Sequence, residues 1–398
     1  MPTAGIVAEY NPFHRGHAYH IAQTRRLLGE ETGIVCVMSG HWVQRGECAL
    51  TDKWRRAALA LAGGADLVLE LPTAWAMASA ETFARGAVGL LAATGVVDTL
   101  SFGSEGGEAA PLRAAADCLD SPDYRQALRR GLEQGLPFAQ CRQAAVAQLL
   151  GPEIAACLAR PNDNLGVEYL RACPPNMGAL AVPRVGAAHD GAPQGGYASA
   201  SALRAWIRGG REEEAAPYLT GPWQGETAEL ARCERAILAR LRAMGEADFA
   251  ALPDSGAGEG LPRRLCRAAR AACSLEEFYT LAKTKRYAHA RLRRLAVGAF
   301  LGVGPTPPEL PYLRVLGLND RGRALLRQMG TRAALPVVTK PARADRLPPA
   351  ARDLFAAEGR YTDLYALCFP QPLPCGLEWT RGPVVEQVGP GEQFLKVR

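Results

Sequence analysis

The stretch IVAEYNPFHRGHAYH, residues 6–20, decides the reading of this chain. Ile6 to Ala8 reads as a short buried strand, Asn11-Pro12 punctuates a turn, and Ala18 to Leu28 carries helical periodicity with basic residues toward its end. His14, Gly16 and His17 therefore fall where a strand feeds a helix, as an H-x-G-H signature. A helix start offers unpaired N–H groups and a partial positive charge, and Gly16 lets the backbone approach a ligand closely. Two imidazoles beside it donate hydrogen bonds to phosphoryl oxygens. The expectation is a nucleotide site doing chemistry at an α-phosphate, with His14 and His17 as the catalytic pair. A lone histidine here would more simply cap the helix; the order strand, Asn-Pro turn, H-x-G-H, helix is what favours a site. His14, His17 and His20 also recur every third residue, as metal ligands would. No carboxylate or cysteine stands at ligand spacing, and Gly16 suits phosphate better than zinc, so no metal site is expected.

Outward from this stretch the pattern alternates. Ile34 to Met38 is a β-branched run, Lys53 to Ala62 a helix, Asp66 to Leu71 a second buried run, Ser79 to Ala93 a helix, and Thr99 to Gly103 a fourth strand. Strands apolar on both faces and separated by helices predict a parallel sheet with right-handed crossovers. Ligands of such sheets bind beyond the carboxyl ends of the strands, so three loops should share one cleft. Those loops hold His14 and His17, Gln44 and Arg45, and Gly103 with Ser104. The fold class expected is α/β: a Rossmann-like parallel-sheet nucleotidyltransferase domain followed by a mainly helical, basic C-terminal region.

PNDNLGVEYLRA (161–172) reads as a loop and then a helix, and LAVPRVG (180–186) as a strand ending at Arg184. In YASASALRAWIRGG (197–210), Ser199 and Ser201 precede a helix bearing Arg204, a second place where hydroxyls, N–H groups and a guanidinium converge on phosphate. Gly209-Gly210 and the acidic run Glu212 to Glu214 suggest a boundary. The expected division is a nucleotide domain over 1–210, a helical connector over 211–262 and a basic nucleic-acid-binding region over 263–398. From Arg263 to Arg294 the chain carries ten Lys and Arg against two Glu, with Tyr279 and Tyr287 interleaved. A continuous helix would present these cations together to a phosphate backbone, with the tyrosines available for stacking.

The whole chain bounds these readings. At 398 residues it suggests two or three domains. No run reaches the ~18 uninterrupted apolar residues of a membrane span, and no charged leader precedes the first strand, so a cytoplasmic protein with no membrane partner is expected. Eleven dispersed cysteines without a C-x-x-C pair predict reduced thiols rather than disulfides or structural zinc. The net charge of +6 is modest, and its distribution matters more than its size.

Eight blocks, in order, narrow the reading: GIVAEYNPFHRGHAYH, SGHWVQRGECALTDKWRRA, DLVLELP, SFGSE, PNDNLGVEYL, YASASALR, TKRYAHARLRRL and PYLRVLGLNDRGRALL. Nearly end to end, the chain resembles the bacterial tRNA(Met) cytidine acetate ligases, a branch of the H-x-G-H nucleotidyltransferases. The resemblance implies an enzyme that makes acetyl-adenylate from ATP and acetate. It then passes the acetyl group to the exocyclic amine of the wobble cytidine of elongator tRNA(Met), releasing AMP and diphosphate. It implies an ATP site formed by Val7, Ala8, Glu9, Tyr10, Asn11, Pro12, Phe13, His14, Arg15, Gly16, His17, Ala18, Tyr19 and His20, joined by Gly103, Asn162 and Arg184, with Ser201 and Arg204 from the serine block. Asn164, two residues from Asn162, competes for that place. Magnesium is expected with ATP, and no tightly bound cofactor. The tRNA is expected to meet Lys283, Lys285, Arg286, Arg291, Arg293 and Arg294. His41 and Cys48 depart from the asparagine and proline common in relatives. The rival readings are an H-x-G-H adenylyltransferase acting on a small phosphorylated metabolite, and a non-catalytic RNA-binding protein.

Overall fold

The chain's computed structural model describes residues 1–186 and 193–386, and the backbone of 395–396. The first half builds the expected alternation: β1 (Thr3–Ala8), α1 (Arg15–Leu28), β2 (Gly33–Ser39), a small hairpin β3 (Trp42–Val43) and β4 (Glu47–Cys48), α2 (Lys53–Ala62), β5 (Leu67–Leu71), α3 (Ala80–Ala93) and β6 (Thr99–Ser104). Every residue of β2 and β5 is buried, as strands covered by helices on both faces require. Helix starts follow local chemistry. Asp52 accepts the Arg55 N–H at 2.9 Å to begin α2, and Ser79 accepts the Thr82 N–H to begin α3.

Three helices, α4 (Ala109–Leu119), α5 (Pro122–Glu133) and α6 (Phe138–Leu150), then lead to α7 (Pro161–Ala172) and β7 (Gly178–Pro183). The loop expected before α7 is instead its first turn. Glu105, far away in sequence, accepts the N–H groups of Asn162 and Asp163, a cap that no local pattern displays. The remaining long helices are α8 (Ala200–Arg208), α9 (Glu234–Ala243), α10 (Leu261–Ala271), α11 (Leu275–Ala282), α12 (His289–Leu301), α13 (Asp320–Arg332) and α14 (Pro349–Tyr365). Late strands follow at β8 (Leu313–Leu318), β9 (Val337–Val338), β10 (Val384–Glu386) and β11 (Leu395–Lys396).

The main sheet has the order β11-β10-β8-β5-β2-β1-β6-β7, with β9 beside β8. From β5 to β7 it is parallel, as the alternation predicts. Beyond β5 it is not, because β8 lies antiparallel to β5. The division at 210 and 262 therefore differs from the architecture. Residues 313–318 and 384–386 return to the first sheet, and the wholly buried LRVLGL run is the reason, since only a sheet interior covers both faces of such a strand. A second, helical core draws on α9 to α12 and the end of α14, so residue 262 falls inside one packed body. Trp42 and Cys48 of the hairpin belong to that helical core too.

His41 and Cys48, the two departures in the second loop, both face inward. The His41 ring stacks on Tyr365 at 4.2 Å and pairs with the Thr362 hydroxyl at 3.2 Å. Beneath them lies a buried charge cluster. The Lys53 ammonium contacts Glu70 at 2.6 Å and Glu378 at 2.5 Å, and Thr362 donates to Glu378 at 2.9 Å. Burial opposes ionisation of Glu378, but Lys53 and Arg314 outweigh it and hold the carboxyl below its usual range. Glu358, buried near Glu70, is pushed up to about 8. The cluster ties α2 and β5 to α14 and the short helix Leu377–Thr380. Glu378→Ala leaves Arg314 without its ion pair and Lys53 with Glu70 alone, so a loss of about 3–5 kcal/mol is expected, read as a fall in calorimetric unfolding midpoint and denaturant midpoint.

Candidate active site

At the carboxyl ends of β1, β2 and β6 lies a cleft of about 490 Å³. It is lined by His14, His17, Gln44, Arg45, Gly103, Asn162, Asn164, Arg184, Ser201 and Arg204, among others. The three loops expected to meet do meet, and the serine block closes a further side. Ser104 alone of that set turns away: it is fully buried and donates to Asp163 at 2.5 Å.

The H-x-G-H turn is a self-bonded unit. His14 is the residue before the first turn of α1, and its Nδ1 accepts the Gly16 N–H at 3.1 Å. The His17 Nδ1 accepts the His14 N–H at 3.3 Å, so the pair forms a reciprocal cap built from imidazoles. The two rings stack at 3.7 Å, and Tyr10 meets the edge of His17 at 4.9 Å. A Cβ at residue 16 would stand 2.9 Å from His14 Cε1, so glycine is what allows the ring to fold back. This changes the expected role of the helix start. The N–H groups of His14 and Gly16 are taken by the imidazoles, and what the turn offers the cleft is the imidazoles' own second nitrogens. With both Nδ1 atoms accepting, each ring carries its proton on Nε2.

The electrostatics keep these rings neutral. Burial, then Arg184 and Arg204, push His14 down to about 3. Burial, then His14 and Arg184, hold His17 well below its usual value. His20 is pushed down to about 4 by burial and by Arg184. It lines the cleft, yet its Nε2 pairs with the Ser101 hydroxyl at 2.9 Å, so the third histidine braces α1 against β6 instead of joining the other two. The periodic His14, His17, His20 pattern is thus a stacked pair plus a brace.

The other walls are positioned at long range. Arg184 donates to the Asn162 Oδ1 at 3.3 Å, while the Asn162 Nδ2 donates to Glu105 at 2.7 Å. Asn164 lines the cleft as well, with a buried Oδ1 that has no hydrogen-bond partner among the described residues. Ser199 caps α8 by accepting the Ala202 N–H at 3.3 Å, and Arg204 on that helix donates to the Asn11 carbonyl at 2.7 Å. Asn11 in turn accepts the Leu50 N–H at 2.8 Å. Sequence reasoning missed Arg56. Its buried guanidinium donates to the carbonyls of Glu9 at 2.6 Å, Ser39 at 3.1 Å and Thr51 at 3.2 Å, and to that of Gly40. The signal was available: Arg56 sits on the apolar face of α2 among Trp54, Ala57 and Ala60, where a charge must have buried partners.

The basic stripe is less continuous than its composition suggests. Lys283, Lys285 and Arg286 precede α12, in a turn bridged from Thr284 to Tyr287. Arg291 pairs with Glu259 at 3.1 Å, Arg293 with Glu47 at 2.6 Å and Arg294 with Asp254 at 2.9 Å. Tyr279 and Tyr287 are buried, and Tyr287 donates to the Glu259 carbonyl at 2.9 Å, so neither ring is presented for base stacking.

A family model described as HIGH nucleotidyl transferase matches residues 1–375. The chain belongs to that class. It is 34% identical to the tRNA(Met) cytidine acetate ligase of Caldanaerobacter subterraneus subsp. tengcongensis over 93% of this chain and 96% of the relative. It is 33% identical to the same-named protein of Syntrophomonas wolfei over 96% and 99%. The crystal structure of Thermotoga maritima TmcAL bound with alpha-thio ATP superposes with a TM-score of 0.89 at 29% identity, covering 98% of this chain and all of that one. Within its class the chain is a member of the tRNA(Met) cytidine acetate ligase family.

Two outcomes follow from the site's geometry. Histidines depressed in the folded state stabilise it fully above the unfolded value of about 6.5 and less as pH falls toward their folded values. The ligand-free unfolding midpoint should therefore drop between about pH 6.5 and 4, and His14→Asn, which keeps a capping side chain, should flatten that drop. Arg56→Lys keeps the charge but not the fork that reaches four carbonyls; a loss of about 2–4 kcal/mol in urea unfolding is expected.

Proposed function

We propose that this chain cleaves ATP with acetate to give acetyl-adenylate, AMP being the later leaving group, and acetylates the wobble cytidine of elongator tRNA(Met). The observation that carries the reading is the convergence of two neutral Nε2–H imidazoles, His14 and His17, with Arg184 and Arg204 on one cleft. Attack by a carboxylate oxygen on the α-phosphate places charge on the equatorial oxygens and the departing diphosphate. Stacked imidazole donors and nearby guanidiniums, already held in place, stabilise that charge without reorganising. In this reading Val7, Ala8, Glu9, Tyr10, Asn11, His14, Gly16, His17, Tyr19 and His20, with Gly103, Asn162, Arg184, Ser201 and Arg204, form the ATP side of the cleft, whereas Pro12, Phe13, Arg15 and Ala18 do not line it and Phe13 packs in the core. No enzyme nucleophile is needed.

Magnesium enters with ATP, carried on its phosphates. The described lining includes a single carboxylate, Glu9, which is bonded to the Gln44 N–H at 2.8 Å, so the side chains do not build a cage for the ion. The second step brings a weakly basic aromatic amine to an activated carbonyl. Phe83, Phe102 and Leu165 give the cleft an apolar wall, which protects the mixed anhydride from water until the amine arrives.

The purified protein, incubated with ATP, radiolabelled acetate and elongator tRNA(Met), should place label in N-acetylcytidine at the wobble position. Label-free tRNA despite ATP cleavage would redirect the search to another acceptor. His14→Asn and His17→Ala should each lower the rate about a hundredfold or more while far-UV circular dichroism stays unchanged. Full activity in either variant would remove the imidazoles from the chemistry.

A further inference from the structure

Eight of the ten cations of residues 261–294 fall into two sets with different surroundings. Arg291, Arg293 and Arg294 are neutralised by Glu259, Glu47 and Asp254. Arg263, Arg267, Arg270, Lys285 and Arg286 are exposed, and among the described residues their side chains have no hydrogen bond or ion pair. At about 100° per residue, Arg263, Arg267 and Arg270 fall within about 60° of one another on α10. The opposite face of that helix is sealed: Leu261, Leu265, Cys266, Ala268 and Ala269 are buried in the helical core. A row of charges on an otherwise core-packed helix is a solvated face with no internal counter-ions.

The turn carrying Lys285 and Arg286 is tied to that helix. Arg264, beside Arg263, donates to the carbonyls of Ala282 at 2.8 Å and Lys283 at 3.3 Å, joining α10 to the start of the turn. Lys283 is itself folded inward, donating to the carbonyls of Thr284 at 2.9 Å and Tyr287 at 2.6 Å. Of the acids nearby, Glu259 is paired with Arg291, Glu277 accepts the Cys273 N–H at 2.7 Å, and Glu276 is exposed. The five unneutralised cations therefore lie on the exposed face of α10 and on the turn that Arg264 ties to that helix.

We propose that this surface, the exposed face of α10 with the Thr284–Tyr287 turn, holds the sugar-phosphate backbone of the tRNA, while Arg291, Arg293 and Arg294 are a structural latch. The proposal rests on the tRNA reading above. Binding to unneutralised cations releases counter-ions from the polyanion, which ion-paired arginines achieve only by first breaking their own contacts. The latch has its own geometry. Arg293 grips Glu47 of the hairpin, and Gly46 packs against the backbone of Arg293 and Arg294. Gln44 and Arg45, in the same hairpin, line the cleft. The turn leads directly into α12, so a backbone held there is referenced to the cleft through one helix and one hairpin.

The test compares Arg263→Gln/Arg267→Gln/Arg270→Gln with the unaltered protein in filter binding of an elongator tRNA(Met) transcript between about 50 and 200 mM salt. Affinity should fall at least about tenfold and the log–log salt slope shrink by about 2, with ATP affinity and unfolding midpoint unchanged because these side chains touch nothing in the fold. Lys285→Gln/Arg286→Gln should act in the same direction. Arg291→Gln should instead lower the unfolding midpoint and leave the slope near that of the unaltered protein. Equal affinity and slope for the triple variant would overturn the proposal. Acetate-dependent ATP cleavage by the unaltered protein tests the reaction separately, so a failed reaction and a misplaced surface give different results.

Discussion

One buried guanidinium sets the shape of the cleft. Parallel strands that end side by side leave their last carbonyls pointing out of the sheet, and here the loops that follow carry the chemistry. Arg56 gathers the carbonyls of Glu9, Ser39, Gly40 and Thr51, fixing the exits of β1 and β2 and the approach to α2 with a single planar fork. The Glu9 side chain then takes the Gln44 N–H, and Asn11 takes the Leu50 N–H, so the turn before the histidines is bound to the second loop at two points. The H-x-G-H pair can be a rigid donor array because its entry is held from below.

That dependence explains what was legible in the sequence and what was not. The alternation of wholly apolar strands with helices is a local property, and β1, β2, β5 and β6 with their helices follow from it. The histidine turn was legible as one wall of a cleft, but not in its bonding. Composition gives two imidazoles and a helix start; only coordinates show that the imidazoles consume the helix N–H groups and replace them as donors. The cap of α7 by Glu105 and the placing of Arg56 depend on partners far along the chain, and periodicity carries no information about those. β8 was missed because LRVLGL carries no alternation and follows a helical body, so nothing local tells it to rejoin the first sheet in the opposite sense.

Charge shows the same limit more sharply. Ten cations against two acids between Arg263 and Arg294 reads as one binding stripe, because a count treats every arginine as available. The counter-ions lie outside the window: Glu47 comes from the β3–β4 hairpin, and Asp254 and Glu259 from the loop before α10. Three of the ten cations are thereby turned into fold. Arg293 and Arg294 join α12 to the hairpin that borders the cleft, Arg291 joins it to the loop before α10, Arg264 and Lys283 bond to backbone carbonyls, and the other five cations face solvent.

The two halves of the molecule consequently meet at the hairpin, and this bears on the order of events. Its Trp42 and Cys48 are buried in the helical core, its Glu47 is held by α12, and its Gln44 is held by the residue just after β1. A hairpin bonded on both sides transmits position and little else, since neither core yields without losing buried contacts. The neutral histidines point the same way. A site whose imidazoles are held far below their usual range does not wait on a proton to become competent at neutral pH; it presents Nε2–H donors from the outset. What such a rigid site requires of its partners is placement. A mixed anhydride formed in the cleft is safe only while water is excluded, and a weakly basic amine reacts only when its nitrogen is delivered to the carbonyl. A fixed hairpin between the cleft and the helical body supplies a fixed distance along which that delivery is measured.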